Sequence, residues 1–264
     1  MGKPRVPIDP VADLQRRLGR IAAHQARAFW TQRGAARVRG VSMAQVRACT
    51  HRWWADHGLA DHPAAVGKRI ALALIEQPMT EDKLAGIVVL QEALADQLRP
   101  TDLSAFARLF AREYLADATI VDWFARAVLA TLLDRTAHGR AETARQLALW
   151  RSADTVWQRR AVCIAFSRLA AEGETALPGV GELACAICAT VVWSHERLDQ
   201  LAVGTLLREL SRSDAACFER FFLRHARLMS KEAARVAVAK LPPDRRAAML
   251  AHHRRATSLR HEQG

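Results

Sequence analysis

The chain of 264 residues is half apolar and strongly basic, with 39 Lys and Arg against 27 Asp and Glu and a formal net charge of +12. This apolar share is ample for a buried core, whereas no uncharged apolar stretch reaches the roughly 18 residues of a membrane span and no secretory hydrophobic segment follows Met1. A composition rich in Ala, Leu and Arg and poor in strand formers predicts an all-α fold. We therefore expect a cytoplasmic helical protein.

The first fifty residues predict a disordered basic lead-in over 1–8 and a basic helix over 9–36, with Asp9 as its N-cap and Pro10 in its first turn. Gly40 ends this region. The segment 1–50 holds ten Lys and Arg side chains against two acids. Because arginines suit phosphate groups, this bias indicates nucleic acid as the partner. A solvated basic surface and an acidic protein partner are the alternatives.

The remaining pattern predicts short-linked helices with no strand signal. About a dozen helices of this kind are typical of an α-solenoid of antiparallel HEAT-like repeats with a concave basic face, and a non-repetitive bundle is the alternative. We predict a single domain over 9–256 and a disordered tail over 257–264. The predicted helices are 42–56, 63–77, 80–98, 101–116, 118–135, 140–150, 154–172, 178–193, 195–211, 213–228, 230–241 and 243–256.

The common catalytic and cofactor motifs are absent from the sequence. It contains no GxxxxGK[ST], no GxGxxG that opens a strand–helix unit and no HExxH. The five cysteines lie in apolar helical contexts, and the CxxC of Cys185 and Cys188 has no second ligand pair, which favours core packing over zinc or redox use. We expect no metal and no cofactor.

The stretch "ATIVDWFARAVLATLL" from residue 118 places one carboxylate, Asp122, in a helix that is apolar nearly all round. A buried carboxylate loses solvation, which a partner or a function must offset. One interpretation is an i,i+4 ion pair with Arg126 at the edge of the apolar face. The other is a carboxylate in a partly dry cleft, where it stabilises cationic charge or orients a water molecule.

A second stretch, "LWRSADTVWQRRAVCIAF" from residue 149, begins with a polar break and restarts with Asp154 as a predicted N-cap. Trp157, Arg159 and Arg160 follow within the first helical turns. Arginines beside the free N–H groups of a helix N-terminus make a good phosphate site. The alternative is a core tryptophan with solvated arginines.

Taken in order, these stretches resemble the AlkD-like DNA alkylation repair glycosylases, a family of HEAT-like repeat proteins. "TEDKLAGIVVLQEAL" (80–94), "VDWFARAVL" (121–129) and "WRSADTVWQRRAVCIAF" (150–166) carry the resemblance, and "LAVGTLLRELSR" (201–212) and "SKEAARVAVAKLPPDRR" (230–246) are similar to the last repeats. The looser "RGVSMAQVR" (39–47) extends it, so that it covers roughly residues 40–250.

The resemblance implies a catalytic carboxylate at Asp122 and a contact of Arg160 with the DNA backbone near the lesion. We expect Trp123 and Trp157 to line the lesion cleft, and the resemblance implies two further tryptophans as its aromatic walls. This chain has Ala118 and Thr205 where those two tryptophans are expected.

The missing tryptophans leave two interpretations. Either the cleft is widened for a bulky minor-groove N3-adenine adduct, or activity is lost and the protein is a non-catalytic DNA-binding HEAT protein. By analogy, a wide-cleft glycosylase would serve base excision repair or the self-resistance of a producer of a DNA-alkylating antibiotic. A helical scaffold for an acidic protein is a third class.

The implied partner is double-stranded DNA that contains N3- or N7-alkylated purines, bound by a nucleoid-associated monomer. We expect five arginines to contact DNA phosphates. Arg208 is the weaker candidate because Glu209 or Glu172 can pair with it. The five are Arg39, Arg47, Arg159, Arg160 and Arg208.

Overall fold

The computed structural model describes residues 9–32, 37–135 and 139–261, with the side chains of 24–26, 135 and 259–261 left aside. The predicted lead-in over 1–8 and the last residues of the predicted tail, 262–264, lie outside these ranges. None of the described helices is long and apolar enough to cross a membrane.

All regular secondary structure in the described residues is helical, which confirms the all-α prediction. Single 3₁₀ turns cap several helices, and π-helical turns at Val89–Ala93 and Ala125–Leu129 interrupt two of them. The helices are α1 (Pro10–Arg20), α2 (His24–Gln32), α3 (Met43–Asp56), α4 (Ala64–Ile75), α5 (Thr80–Val88), α6 (Leu103–Ala111), α7 (Ala118–Phe124), α8 (Ala130–Arg135), α9 (Arg140–Ala148), α10 (Val156–Glu172), α11 (Val180–Val191), α12 (Arg197–Ser213), α13 (Ala215–His225), α14 (Lys231–Ala237) and α15 (Pro243–His261).

The chain divides into two compact units, Met1–Leu132 and Leu133–Gly264. In the first unit, α3 contacts α5, α5 contacts α7, and α4 packs beside α5. The core of this unit includes an aromatic cluster in which Phe106 and Phe110 meet the ring of Phe124 nearly edge-on, at centroid distances of 5.3 and 5.9 Å. This packing buries one face of α7 and leaves its other face for a surface site.

In the second unit, α10 contacts α12 and α12 contacts α14, while α11 contacts α13 and α13 contacts α15. This alternation of two helix layers is typical of stacked repeats. Helices α12 and α14 approach closely at Gly204, where an added Cβ would lie 2.6 Å from the carbonyl oxygen of Ala233. The predicted single domain and concave basic face stay predictions.

The N-terminal helix is not continuous to residue 36, as the sequence predicted. Helix α1 ends at Arg20, and α2 begins at His24 after a short break. The break brings the Ala23 N–H within 2.7 Å of the Gly40 carbonyl oxygen, and it lets the buried Trp30 indole donate to the carbonyl oxygen of Val41 at 2.8 Å. Gly40 has φ +97°, and a Cβ there would meet Ala23. Burial of an indole therefore overrides local helix propensity.

The C-terminal helix is longer than predicted, because α15 continues to His261 into the segment expected to be a disordered tail. Its inner face is anchored by His253, which is buried and whose Nε2 lies 2.9 Å from the Met229 carbonyl oxygen. A buried anchor explains why the helix extends past residue 256.

Candidate active site and nucleic-acid contacts

Helix α7 presents Asp122 on the face opposite the core. The Asp117 side chain caps its start and accepts hydrogen bonds from the N–H groups of Thr119 and Ile120 at 2.9 and 3.0 Å. Val121 and Phe124 are fully buried, whereas Asp122, which lies between them in the sequence, is half-buried. The apolar positions thus fix the rotation of the helix and place the carboxylate at a surface.

That surface is a cleft of about 480 Å³. A volume of this order is typical of small-ligand sites. The wall combines a carboxylate, a guanidinium, an amide, a hydroxyl and an indole, so it offers both charge signs and an aromatic face. The lining residues are Gln91, Thr119, Asp122, Trp123, Arg126 and Ala127.

The structure brings Asp122 and Arg126 to the same cleft wall, with the π-helical turn Ala125–Leu129 beginning just after α7. Asp122 is engaged by other groups of the protein. Its half-burial in an open cleft leaves it accessible to a ligand. Single π-helical turns within α-helices occur frequently at functional sites.

In the second unit, the predicted phosphate site is built differently from the expectation. Thr155, and not Asp154, is the N-cap of α10, and its hydroxyl accepts a hydrogen bond from the Gln158 N–H at 3.2 Å. Arg159 donates from Nη1 to the carbonyl oxygens of Ala153 and Asp154, both at 2.8 Å. Hydrogen bonds from Arg159 thus hold the polar segment that precedes α10.

Arg159 also holds Asp199, which the sequence interpretation missed. Its Nε and Nη2 donate to Asp199 Oδ2 at 2.9 and 2.7 Å, and the carboxylate is fully buried. Most of the Arg159 donors are therefore used within the protein. The DNA contact of this arginine stays a prediction, with few donors left to make it.

Arg160 and Trp157 lie half-buried in the first turns of the same helix. The Nη1 group of Arg160 donates to the Leu198 carbonyl oxygen at 3.3 Å, and the residue has further contacts. This arginine is held beside the start of α12, next to the buried pair of Arg159 and Asp199.

In the first unit, the guanidinium of Arg39 is largely buried against Asp82. Nη1 and Nη2 of Arg39 lie 2.5 and 2.9 Å from Oδ1 and Oδ2 of that carboxylate, which is fully buried. The neighbouring Glu81 is also fully buried and accepts the N–H groups of residues 39, 40 and 41 at 2.7 to 3.1 Å. The two acids at the start of α5 therefore anchor the segment after α2.

The two remaining arginine candidates each pair with a glutamate. Arg47 Nε lies 2.7 Å from Glu92 Oε1, and His51 Nε2 lies 2.6 Å from Oε2 of the same carboxylate. Arg208 donates to Glu209 at 3.0 Å, which answers the choice between Glu209 and Glu172 left open by the sequence.

A profile of the DNA alkylation repair enzyme family matches residues 13–241. The chain belongs to this family. The match covers most of the sequence and includes α7, α10 and α12, and it confirms the resemblance read from the sequence. Membership supports a role in DNA repair with DNA as the partner. Among curated proteins, none matches this chain.

In this DNA alkylation repair family member, Trp123 supplies the indole of the cleft wall. Ala118, the first residue of α7, is half-buried at the helix start. Thr205 is half-buried on α12, where its hydroxyl donates to the Leu201 carbonyl oxygen at 2.9 Å.

The cysteines of this family member are free thiols, and burial raises the pKa of Cys163, Cys185 and Cys188 above the usual range. Three of the five are buried, as predicted for core residues. Across residues 9–32, 37–135 and 139–261, no group of three or more His, Cys, Asp or Glu side chains is placed to hold a metal ion.

Proposed function

We propose that the protein is a DNA glycosylase that hydrolyses the N-glycosidic bond of cationic N3- or N7-alkylated purines. The observation that carries this proposal is the position of Asp122 on the wall of an open cleft, within the region that matches the repair family. The adjacent indole of Trp123 offers an aromatic surface to a cationic base. Working on chromosomal DNA, the enzyme would be cytoplasmic, nucleoid-associated and monomeric.

The chemistry needs little acid catalysis, because the alkylated purine already carries a positive charge. The C1′–N bond breaks and its electron pair passes to the purine, which departs as a neutral base. The sugar then becomes an oxocarbenium-like cation, and the Asp122 carboxylate stabilises it electrostatically. Water adds at C1′, and its proton passes to Asp122 and then to solvent, leaving an abasic site.

We propose that the preferred lesion is a bulky minor-groove N3-adenine adduct. Small side chains at Ala118 and Thr205 support this proposal, because the resemblance predicts indoles at both positions. An alkyl group larger than methyl would use the space that indole rings would otherwise fill. Such an enzyme would act in base excision repair or in self-resistance to a DNA-alkylating antibiotic.

Among the arginines, Arg160 is the best-supported phosphate contact. It lies near the N-terminus of α10, where the helix dipole favours an anion. Arg39 and Arg159 pair with buried carboxylates, Arg47 pairs with the exposed Glu92, and Arg208 pairs with the half-buried Glu209. The surface ion pair of Arg47 is weak enough to be exchanged for a DNA phosphate.

The substitutions at Ala118 and Thr205 also favour a second candidate, a DNA-binding relative without catalysis. Base release measured by chromatography separates the two, with duplexes that carry an N3-methyladenine, a bulky N3-adenine adduct or no lesion. We expect release from both alkylated duplexes and faster release of the bulky base. Salt-sensitive binding without release would support the second candidate, and much faster release of the methylated base would contradict the wide-cleft proposal.

A further inference from the structure

Two π-helical turns pack against each other beside the Asp122 cleft. The first, Val89–Ala93, directly follows α5, and the second, Ala125–Leu129, directly follows α7. Gln91 from the first turn lines the same cleft as Asp122 and Arg126. A π-helical turn is rare, and it is found mostly as a single turn that often marks a functional site. Because two such turns are in contact here, Gln91, the polar side chain that they place in the cleft, is a candidate functional residue.

The Gln91 amide is unusual in its hydrogen bonding. Its Oε1 atom is shielded from solvent and accepts no hydrogen bond from the described residues, although the side chain as a whole is half-buried. Gln200, the same residue type in a buried position, shows the ordinary arrangement. Its Nε2 donates to backbone carbonyl oxygens that include Val192 and Ser194, and its Oε1 accepts the Ser230 N–H at 2.8 Å.

An acceptor that is buried without a donor destabilises the free protein, so each such group calls for an explanation. The last side-chain torsion of glutamine is soft, and rotation about it exchanges the positions of Oε1 and Nε2. The amide can therefore turn its oxygen toward the cleft when a donor arrives there. In the proposed reaction, the attacking water brings two O–H donors into this cleft.

We propose that Gln91 is a positioning residue that holds the attacking water against Asp122, an inference that rests on the proposed glycosylase function. One water O–H donates to the Asp122 carboxylate and the other to Gln91 Oε1. Two acceptors fix the orientation of the water and leave a lone pair free to attack C1′. As the new C–O bond forms, one proton passes to Asp122, and Gln91 stays a neutral amide throughout.

The test compares single-turnover base release with DNA affinity for three variants. Gln91→Met keeps the side-chain length and removes the amide, Gln91→Glu keeps an acceptor, and Gln97→Met is a matched control at an exposed glutamine nearby. We expect Gln91→Met to lower the rate constant about tenfold or more while the Kd for the same duplex changes less than about twofold. Gln97→Met should leave both unchanged.

The pH profile tests whether an acceptor at residue 91 beside Asp122 restores the rate. In Gln91→Glu a second carboxylate beside Asp122 raises the pKa of the pair, so the acid limb of the pH–rate profile should move upward and the rate should recover at higher pH. Arg126 is the other charged group of the cleft, and Glu92 is paired with Arg47 and His51. A merely structural amide would change thermal stability and leave the rate constant of Gln91→Met at the wild-type value.

The outcomes distinguish the two proposals. No base release by the wild type from any alkylated duplex overturns the proposed function and this inference with it. Release by the wild type that Asp122→Asn abolishes, together with a wild-type rate for Gln91→Met, overturns the role of Gln91 alone. If Gln91→Met does not fold, Gln91→Glu decides, since an unmoved acid limb with no recovery at higher pH also contradicts the role.

Discussion

Two helical aspartates, Asp122 of α7 and Asp199 of α12, lie beside apolar residues but have different surroundings. Asp199 is fully buried and held by the guanidinium of Arg159, while its Oδ1 accepts no hydrogen bond from the described residues. Asp122 is half-buried and lines an open cleft. A carboxylate among apolar neighbours is therefore no sign of function by itself. The distinction lies in whether the protein buries it with a cation or presents it to a ligand.

The two aspartates should differ most in their contribution to the free energy of unfolding. Replacement of Asp199 by Asn leaves the Arg159 guanidinium buried without a counter-charge, which should lower the free energy of unfolding by about 3 to 5 kcal/mol. Asp122→Asn should change it by less than about 0.5 kcal/mol. Urea unfolding of both variants beside the wild type checks this. Equal losses of unfolding free energy in the two variants would contradict this difference between the aspartates.

Glu81, like Asp199, is a buried carboxylate that stabilises the fold. Glu81→Gln replaces one acceptor oxygen with an amide that faces backbone N–H groups, so unfolding should become easier by about 1 to 3 kcal/mol. Thermal and urea unfolding measure the loss. Glu76→Gln, at an exposed glutamate in the same unit, is the control and should unfold like the wild type.

The neighbouring arginines Arg159 and Arg160 extend the comparison to DNA binding. Arg160→Ala should reduce the slope of log K against log salt by about one, because one phosphate contact is lost. Arg159→Ala should leave the slope unchanged. It should lower the unfolding midpoint, because the buried carboxylate of Asp199 loses its counter-charge. Titration of labelled duplex at several salt concentrations tests both. The reverse pattern would mean that Arg159 makes the phosphate contact.

A pH-dependent effect concerns Lys83, whose ammonium group is held by backbone carbonyl groups. Its Nζ donates to the carbonyl oxygens of Ile75 and Tyr114 at 2.9 and 2.7 Å, and burial lowers its pKa to about 8. Between about pH 8 and its ordinary pKa of 10.5, the unfolded chain keeps a proton that the folded protein has released. The contribution of Lys83 to the free energy of unfolding therefore rises with pH in that window.

Lys83→Met provides the matched comparison for this effect. The difference in unfolding free energy between wild type and variant should grow in favour of the wild type from pH 8 to 10.5. Urea unfolding at pH 7.5, 9 and 10 measures it. A difference that stays constant across this range would contradict a lowered pKa.

The sequence predicted the helices well because their apolar spacing and short polar breaks are local signals. The helix over 118–135 is found as α7, the π-helical turn and α8, and the helix predicted over 42–56 is found as α3 with Ser42 as its N-cap. The ion pairs that occupy Arg39 and Arg159 join residues 43 and 40 positions apart, so no local pattern could reveal them. Gln91 was missed for the same reason, because only packing places it in the Asp122 cleft.

The claim that Asp122 performs the chemistry predicts the rate of single-turnover base release from a duplex with one N3-alkyladenine. The Asp122→Asn variant should release the base about a hundredfold or more slowly than the wild type, by analogy with the loss of other electrostatic transition-state contacts, and bind the duplex as tightly. Asp61→Asn, at an exposed aspartate of the same unit, should match the wild type. Release by Asp122→Asn at the wild-type rate would contradict the claim.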